Sequence, residues 1–454
     1  MMNRNALMKR GGLWSIGVGL LSLSLAACDT SSLVELNDPD QITGPVARDP
    51  ANINELRNGA LYEFARAVTG PAANNANPGI VGFVGVMTDE LWYASTFPTM
   101  REVDRRDITD TNGGLLTIYQ YIHRARNMAD QVAAQYAAIG DATNDKDHAM
   151  VTNLAGYSIL FLAENFCSGV PLSSTSLNGE LVYGAPQTTA QLVDSAVVRF
   201  DAARQRAQAA GSAEQEYVAR IGKARALMIV GDFAGAAALV NGIPTDFNYD
   251  VVYSPNSSGQ NNGVWYNINS ERRSSAATED GGNGIAFFAF DQNDPTTDPR
   301  IRVEYTGNGI GTQLPHFAQG KYTERGSPIP LASGLEARLI EAEHALDKGN
   351  SNAYLAILND LRTAEGLPAL ADPGTPNGRV LQFFEERARW LWLTGHRLAD
   401  LRRLVRHYGF QANDVFPTGQ TIAGEPFGND VNFPIPFQEQ NNPSYSGACI
   451  DRDA

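Results

Sequence analysis

The sequence predicts an all-α protein: a scaffold of antiparallel helical pairs carrying long loop-rich insertions. Three observations carry that reading. Apolar residues recur at steps of three and four in several segments, clearest at Leu115, Ile118, Tyr119, Ile122, Ala125, Ala129, Val132 and Tyr136, which places one stripe of a helix against a core. Short glycine-bearing turns, Gly231-Asp232-Phe233 and Gly349-Asn350, separate such segments, as antiparallel helix pairs require. Two stretches, 70–114 and 244–330, escape the periodicity and are rich in Gly, Asn, Asp, Ser and Pro, with only short strand-like pieces such as IAFFAF. Loops of that length are uncommon in compact domains, and those that exist are often functional.

Taken in chain order, the first segment is a leader. Arg4, Lys9 and Arg10 make a basic start, and Leu13 to Ala27 is an uncharged, mostly apolar run of 15 residues, the pattern of a secretion signal and too short to span a bilayer. It ends in LSLAAC, which resembles a bacterial lipoprotein signal, so cleavage after residue 27 and acylation of Cys28 are expected. An ordinary secretory signal that contains a cysteine is the alternative. Residues 28–49, with Pro39, Gly44 and Pro45, read as a tether and lead-in, and residues 50–454 as one domain. Loss of Arg4, Lys9 and Arg10, with no acidic residue lost, takes the formal net charge from −15 to −18. That disfavours binding to nucleic acid, or to anionic lipid through a basic patch. In an oxidising compartment Cys167 and Cys449 are the one pair left; a disulfide is expected, with two buried thiols as the alternative.

Further helices are expected over 150–166, 188–209, 214–230, 335–346 and 354–361. The glycine turns between them are similar to the turn inside a tetratricopeptide hairpin, at irregular spacing, so the repeats are degenerate. From Val380 to Gly409 a stripe of Leu381, Phe384, Ala388 and Leu391 is continued by Leu398, Leu401 and Val405 beyond Gly395, predicting a helix broken near Gly395 and resumed. Glu385 with Arg389, and Asp400 with Arg403, stand at pairing distance along it.

Glu386-Arg387, Leu391, Gly395, Arg397, Asp400-Leu401 and Arg403 resemble the C-terminal signature of the SusD/RagB family of outer-membrane nutrient-binding lipoproteins. Other segments resemble family landmarks in the same order: NDPDQITGP with NELRNGALYEF, SGVPL, DPRI, GKY, EARLIEAEHAL, LNDLRTAEGLP and FPIPFQEQNNP. Trp390 and Thr394 depart from it, standing where the family often has acidic residues. The resemblance implies a tetratricopeptide-like scaffold that caps a TonB-dependent transporter of the SusC/RagA type. It implies a lipid-anchored protein facing the cell exterior that binds oligosaccharide, or in some members peptide, through loops outside the repeats and performs no chemistry.

An exposed aromatic face can stack on the C–H patches of a sugar ring while Asn, Asp or Arg takes its hydroxyls. Trp92, Tyr93 and Phe97, with Asp89, Glu90, Arg101 and Asp104, form one candidate group. Trp265 and Tyr266, with Asn262, Asn267, Asn269 and Arg272, form another. The plainer alternative is that these rings pin long loops to the scaffold. Trp390 and Trp392 read as core, and Arg397 and Asp400 as structural. No Gly-x-Ser-x-Gly elbow, Walker loop or His-Glu-x-x-His occurs. GNGIGT (307–312) lacks a lysine and a helix to open, Asp291 and Asn293 begin a calcium loop that fails at Pro295, Thr296 and Arg302, and Glu341 with His344 is half of a metal site. Neither metal nor cofactor is expected. A glycoside hydrolase, needing two facing carboxylates, and a periplasmic protein-binding scaffold, needing a smooth concave helical face, are the rival functions.

Overall fold

A computed structural model describes residues 50–71, 78–175, 180–445, 447 and 449–452. The signal at 1–27, Cys28 and the tether at 28–49 lie outside these residues. The helices of seven or more residues are α1 (Ile53–Thr69), α2 (Gly79–Met87), α3 (Pro98–Asp104), α4 (Gly113–Ile139), α5 (Asp145–Asn165), α6 (Thr189–Ala209), α7 (Ala213–Ile229), α8 (Phe233–Val240), α9 (Gly334–Asp347), α10 (Ser351–Ala364), α11 (Pro376–Trp390) and α12 (Arg397–Tyr408). Helix α5 is buried almost all round, between α4 on one side and α6 on the other; α7 packs on α6, α8 on α7 and α9, and α9 on α10. Neighbouring helices are therefore sequential, the arrangement of tetratricopeptide-like pairs.

The turns repeat one chemistry. Gly231 and Gly349 take φ of 78° and 67°, the left-handed region open to glycine, and Asp232 and Asn350 then cap the next helix by accepting from the N–H of Gly235 and Ala353 at 2.9 and 3.1 Å. Close approach of α5, α6 and α7 also needs glycine: a Cβ on Gly156 or Gly222 would lie 2.7 or 2.4 Å from the Phe200 ring.

The two aperiodic stretches are more ordered than the sequence suggested. The first holds α2, β1 (Leu91–Tyr93) and α3. All nine residues of α2 are buried, so its sequence, GIVGFVGVM, has no polar face and hence no helical period to read. All the strands of the described residues form two-stranded antiparallel pairs. Short strands β2 (Val170–Pro171) to β5 (Pro186–Gln187), with β3 (Ser174–Thr175) and β4 (Leu181–Val182) between, pair as β2–β5 and β3–β4. In the second stretch β6 (Asn248–Val251) pairs with β10 (Ile329–Ser333), β7 (Ser274–Ala276) with β1, and β8 (Val303–Asn308) with β9 (Pro315–Gln319). IAFFAF is not a strand; Phe287 and Phe288 are buried from an irregular loop.

Helices α11 and α12 close the fold and break across 391–396, with Gly395 at φ 79°. The buried face of α11 keeps Phe384, Ala388 and Leu391 of the expected stripe inside and widens it to Val380, Phe383, Glu386 and Arg387, while Leu381 is exposed. Arg387 can occupy that face because Asp400 accepts from it at 2.9 Å; Asp400 also accepts from Arg403 at 2.8 Å, and Arg403 bridges to Glu343 at 2.9 Å. Burial opposes the Asp400 charge, but Arg387 and Arg403 hold its carboxyl down at about 2. Arg397 makes a two-pronged contact with Asp89 at 2.7 Å, tying α12 to the first loop-rich stretch, and Glu385 pairs with Arg389 at 2.8 Å on the surface. Trp392 is fully buried, while Trp390 lies half-buried beneath Arg300. The Cys167–Cys449 disulfide forms, with the Cα atoms 5.9 Å apart, and fastens the C-terminal tail to the end of α5. No helix among the described residues is long and apolar enough to cross a membrane.

Candidate functional site

Asp89 begins the site. Its carboxylate takes Arg397 and also accepts from the N–H of Ile285, so the closing helix fixes the base of the loop 278–290. Directly after it, β1 pairs with β7, with Trp92 opposite Ser275. The Trp92 indole N–H donates to the Pro315 carbonyl at 3.1 Å, and its ring meets Phe317 edge-on, 6.1 Å between centroids. Phe290 lies against both, 6.2 Å from Trp92 and 5.6 Å from Phe317, yet is 55% exposed. A large ring is thus held by two buried aromatics with one face in water.

The opposite wall is the 418–424 segment. Gly282 N–H donates to the Thr418 carbonyl at 2.8 Å, and a Cβ on Gly281, at φ 67°, would lie 2.4 Å from that oxygen, so the two loops meet only because glycine stands there. Between them is a cleft of about 650 Å³ lined by Trp92, Phe290, Glu279, Asp280, Thr418 and Gln420 among others. Asp280 is 4% exposed and its Oδ2 has no hydrogen-bond partner. Burial, and then the charge of Asp89, push its carboxyl up to about 7. Asp104, behind it, is raised well above the usual carboxylate range by burial and then by Asp280. Glu279 is exposed and holds a left-handed φ of 51°.

The platform expected from Trp92, Tyr93, Phe97, Trp265 and Tyr266 is not one surface. Trp92 and Tyr93 are buried, 1% and 0% exposed, because strand pairing with β7 draws them inward; they pin the loop, as the plainer alternative held. Phe97 is exposed beneath the Arg273 guanidinium, 4.8 Å from its ring centre, and Arg273 pairs at 3.0 Å with Glu271, which accepts from the Tyr266 hydroxyl at 3.1 Å. Phe97 and Tyr266 therefore bracket an ion pair. Trp265 is half-buried beside Arg325, Asn267 is buried with both amide atoms unpartnered, and Arg272 is exposed and donates to the Thr306 carbonyl at 3.1 Å. The polar residues proposed beside the rings are largely engaged in the fold. Asn262 caps the turn at Trp265 and donates to Ser327 O, Asn269 donates to Gln319 O, and Glu90 accepts from Leu393 N–H.

Of the expected ring residues, Trp92 alone lines the cleft; Phe290, Glu279, Asp280 and Gln420 were missed. The one signal for Phe290 was its place at the end of IAFFAF, where an apolar run gives way to DQND. A larger groove of about 730 Å³, lined by Arg126, Asp130, Arg199 and Arg206, contains no Trp, Tyr or Phe. No group of three or more His, Cys, Asp or Glu able to hold a metal ion occurs among the described residues.

No family model matches the sequence, and no curated protein is similar to it. Solved structures are similar in fold. A SusD-like carbohydrate-binding protein from Bacteroides fragilis has a TM-score of 0.63 at 15% identity, covering 88% of this chain and 99% of its own. Surface glycan-binding protein A from Bacteroides uniformis gives 0.60 at 16% identity, covering 87% and 99%. A SusD superfamily protein from Parabacteroides distasonis gives 0.62 at 13% identity, covering 87% and 98%. The chain therefore has the SusD-like fold.

Proposed function

We propose that this chain, with its SusD-like fold, is a member of the SusD/RagB family that binds glycan at the cell surface and carries out no chemistry of its own. The observation that carries the reading is the exposed Phe290 ring, held by Trp92 and Phe317 and facing a cleft with carboxyl, hydroxyl and amide groups. A saccharide offers an apolar ring face and a rim of hydroxyls, the two features such a cleft complements. The similarity to proteins described as carbohydrate-binding, and not as enzymes, supports the same reading. Oligosaccharide is the proposed ligand, with a peptide next. The LSLAAC sequence supports lipid attachment at Cys28 on the outer membrane, and the family resemblance supports delivery of the captured ligand to a TonB-dependent transporter of the SusC/RagA type.

Two experiments test this. Binding of a glycan panel to immobilised protein should detect a ligand whose affinity falls on Phe290→Ala; a panel on which wild type and variant are equally silent overturns the glycan reading. For location, Cys28→Ala should move the protein from the membrane to the soluble fraction. Persistence of that variant in detergent-dependent fractions contradicts the anchor.

A further inference from the structure

The groove of about 730 Å³ has no part in the glycan reading, and it is built from three helices. Arg126 and Asp130 of α4, and Ser195, Arg199 and Arg206 of α6, follow one another at one or two turns, so each helix turns a polar stripe toward it. His148 and Thr152 of α5 lie between the two stripes. The charge there is unbalanced. Asp130 is held by both prongs of Arg199, at 3.1 and 3.3 Å, and also lies 3.7 Å from Arg126. Arg206 has Asp145 at 3.1 Å, and Asp147 is taken by Arg57. Three arginines thus share two carboxylates, while burial and then the charge of Arg206 hold His148 below its usual range and so neutral. Arg126 is 3% exposed; its Nη2 donates to the Ser173 carbonyl, but Nη1, on the side of Asp130, makes no hydrogen bond. Burial lowers the proton affinity of Arg126, Asp130 opposes this, and the like charge of Arg199 adds to it. The neutral groups add donors. Asn127 Oδ1 accepts from Thr175 N–H at 3.1 Å and Gln187 Oε1 from the Ser195 hydroxyl at 3.0 Å, which leaves both amide NH2 groups for a ligand.

We propose that this groove docks an acidic segment of a partner polypeptide, with one carboxylate received between Arg126 and Arg199 and a second by Arg206. The proposal goes beyond the glycan reading and does not depend on it. A carboxylate between Arg126 and Arg199 receives charge-assisted hydrogen bonds and relieves the repulsion of two guanidinium groups that share Asp130. Carbonyls of an extended backbone can then accept from the Asn127 and Gln187 amides. Arg199 and Arg206 stand two turns apart on α6, about 10 Å. An extended chain covers that distance in about three residues, so the segment should carry acidic side chains three positions apart. A saccharide fits less well, because no Trp, Tyr or Phe lines the groove to take a sugar face. A long polyanion is disfavoured too: outside a screening length of about 10 Å it meets a chain of formal net charge −15.

The test is fluorescence anisotropy with blocked, labelled octapeptides of Gly and Ser that carry two glutamates three positions apart, against the same peptide with glutamines. The glutamate peptide should bind at least tenfold tighter, with an affinity that falls as salt is raised. Arg199→Gln and Arg206→Gln, at partly exposed positions, should each weaken it at least fivefold while a melting curve reports that they are folded, and Phe290→Ala should leave it unchanged. Equal affinity for the two peptides, binding of neither, or binding that both arginine variants retain overturns the proposal. So does a heparin-derived hexasaccharide that binds more tightly than the peptide and is lost with the same arginines, since the groove would then belong to an anionic saccharide.

Discussion

Trp92 and Phe290 touch each other and make opposite predictions. Trp92 is buried and hydrogen-bonded, so Trp92→Ala should cost about 3–5 kcal/mol of stability, read as an early melt. Phe290 is half in water, so Phe290→Ala should cost about 1 kcal/mol or less in stability while weakening ligand by about 1–3 kcal/mol. The reverse pattern would place the ligand-facing ring at Trp92. Asp280 adds a pH dependence. Its folded carboxyl is raised to about 7, so its contribution to stability is fully present below about pH 4 and is lost as pH rises through 7. Asp280→Asn should therefore melt above wild type at pH 8 and approach it at pH 5; an unchanged difference between the two pH values would contradict a carboxyl raised by burial and by the charge of Asp89. None of these contrasts was legible in the sequence. An aromatic among polar neighbours reads the same whether strand pairing turns it inward, as for Trp92, or a loop leaves it outside, as for Phe290.

At the scale of elements, the closing helices are held by charge as much as by apolar packing. Asp400→Ala leaves Arg387 and Arg403 buried with one partner fewer, and should cost about 3–5 kcal/mol. Loss of ligand binding with an unchanged melting temperature would instead make Asp400 a site residue. Asp400 and Glu336 are both held at about 2; burial opposes this, and their Arg and His neighbours prevail. Their stabilising contribution is present above about pH 4 and disappears as pH falls from there toward 2, so acid unfolding should steepen across that window and Asp400→Asn should reduce the slope. The break at Gly395, the turns at Gly231 and Gly349 and the amphipathic α4 were readable because local rules produce them. Helix α2 was not, because a helix buried on every side carries no period, and the buried face of α11 is wider than its apolar stripe because Asp400 on the next helix lets Arg387 lie inside.

For the whole molecule, the order of weak motifs was informative where each alone was not. DPRI gains its meaning from Arg300, which joins Asp298 to Glu386 at 2.6 and 2.8 Å, linking a loop landmark to the closing signature. The sequence could supply the two landmarks but not their meeting. The Cys167–Cys449 bridge spans a sequence separation of 282 residues. On loop entropy it should stabilise the fold by about 5 kcal/mol, so reduction under non-denaturing conditions should lower the melting temperature by several degrees; an unchanged melt would mean that the tail is held without it. The cleft belongs to this scale too: Phe290, Asp280 and Thr418 come from loops that only the assembled scaffold brings together.

Entry of ligand into this cleft and its stacking on Phe290, as proposed, would be seen in a crystal structure of the protein with a bound oligosaccharide from the panel. A sugar ring should lie in van der Waals contact with the open face of Phe290, with its polar groups within hydrogen-bonding distance of Asp280 and Gln420. A saccharide seated instead in the groove of Arg126, Arg199 and Arg206, or beside Phe97 and Tyr266 with the Phe290 face empty, would contradict it.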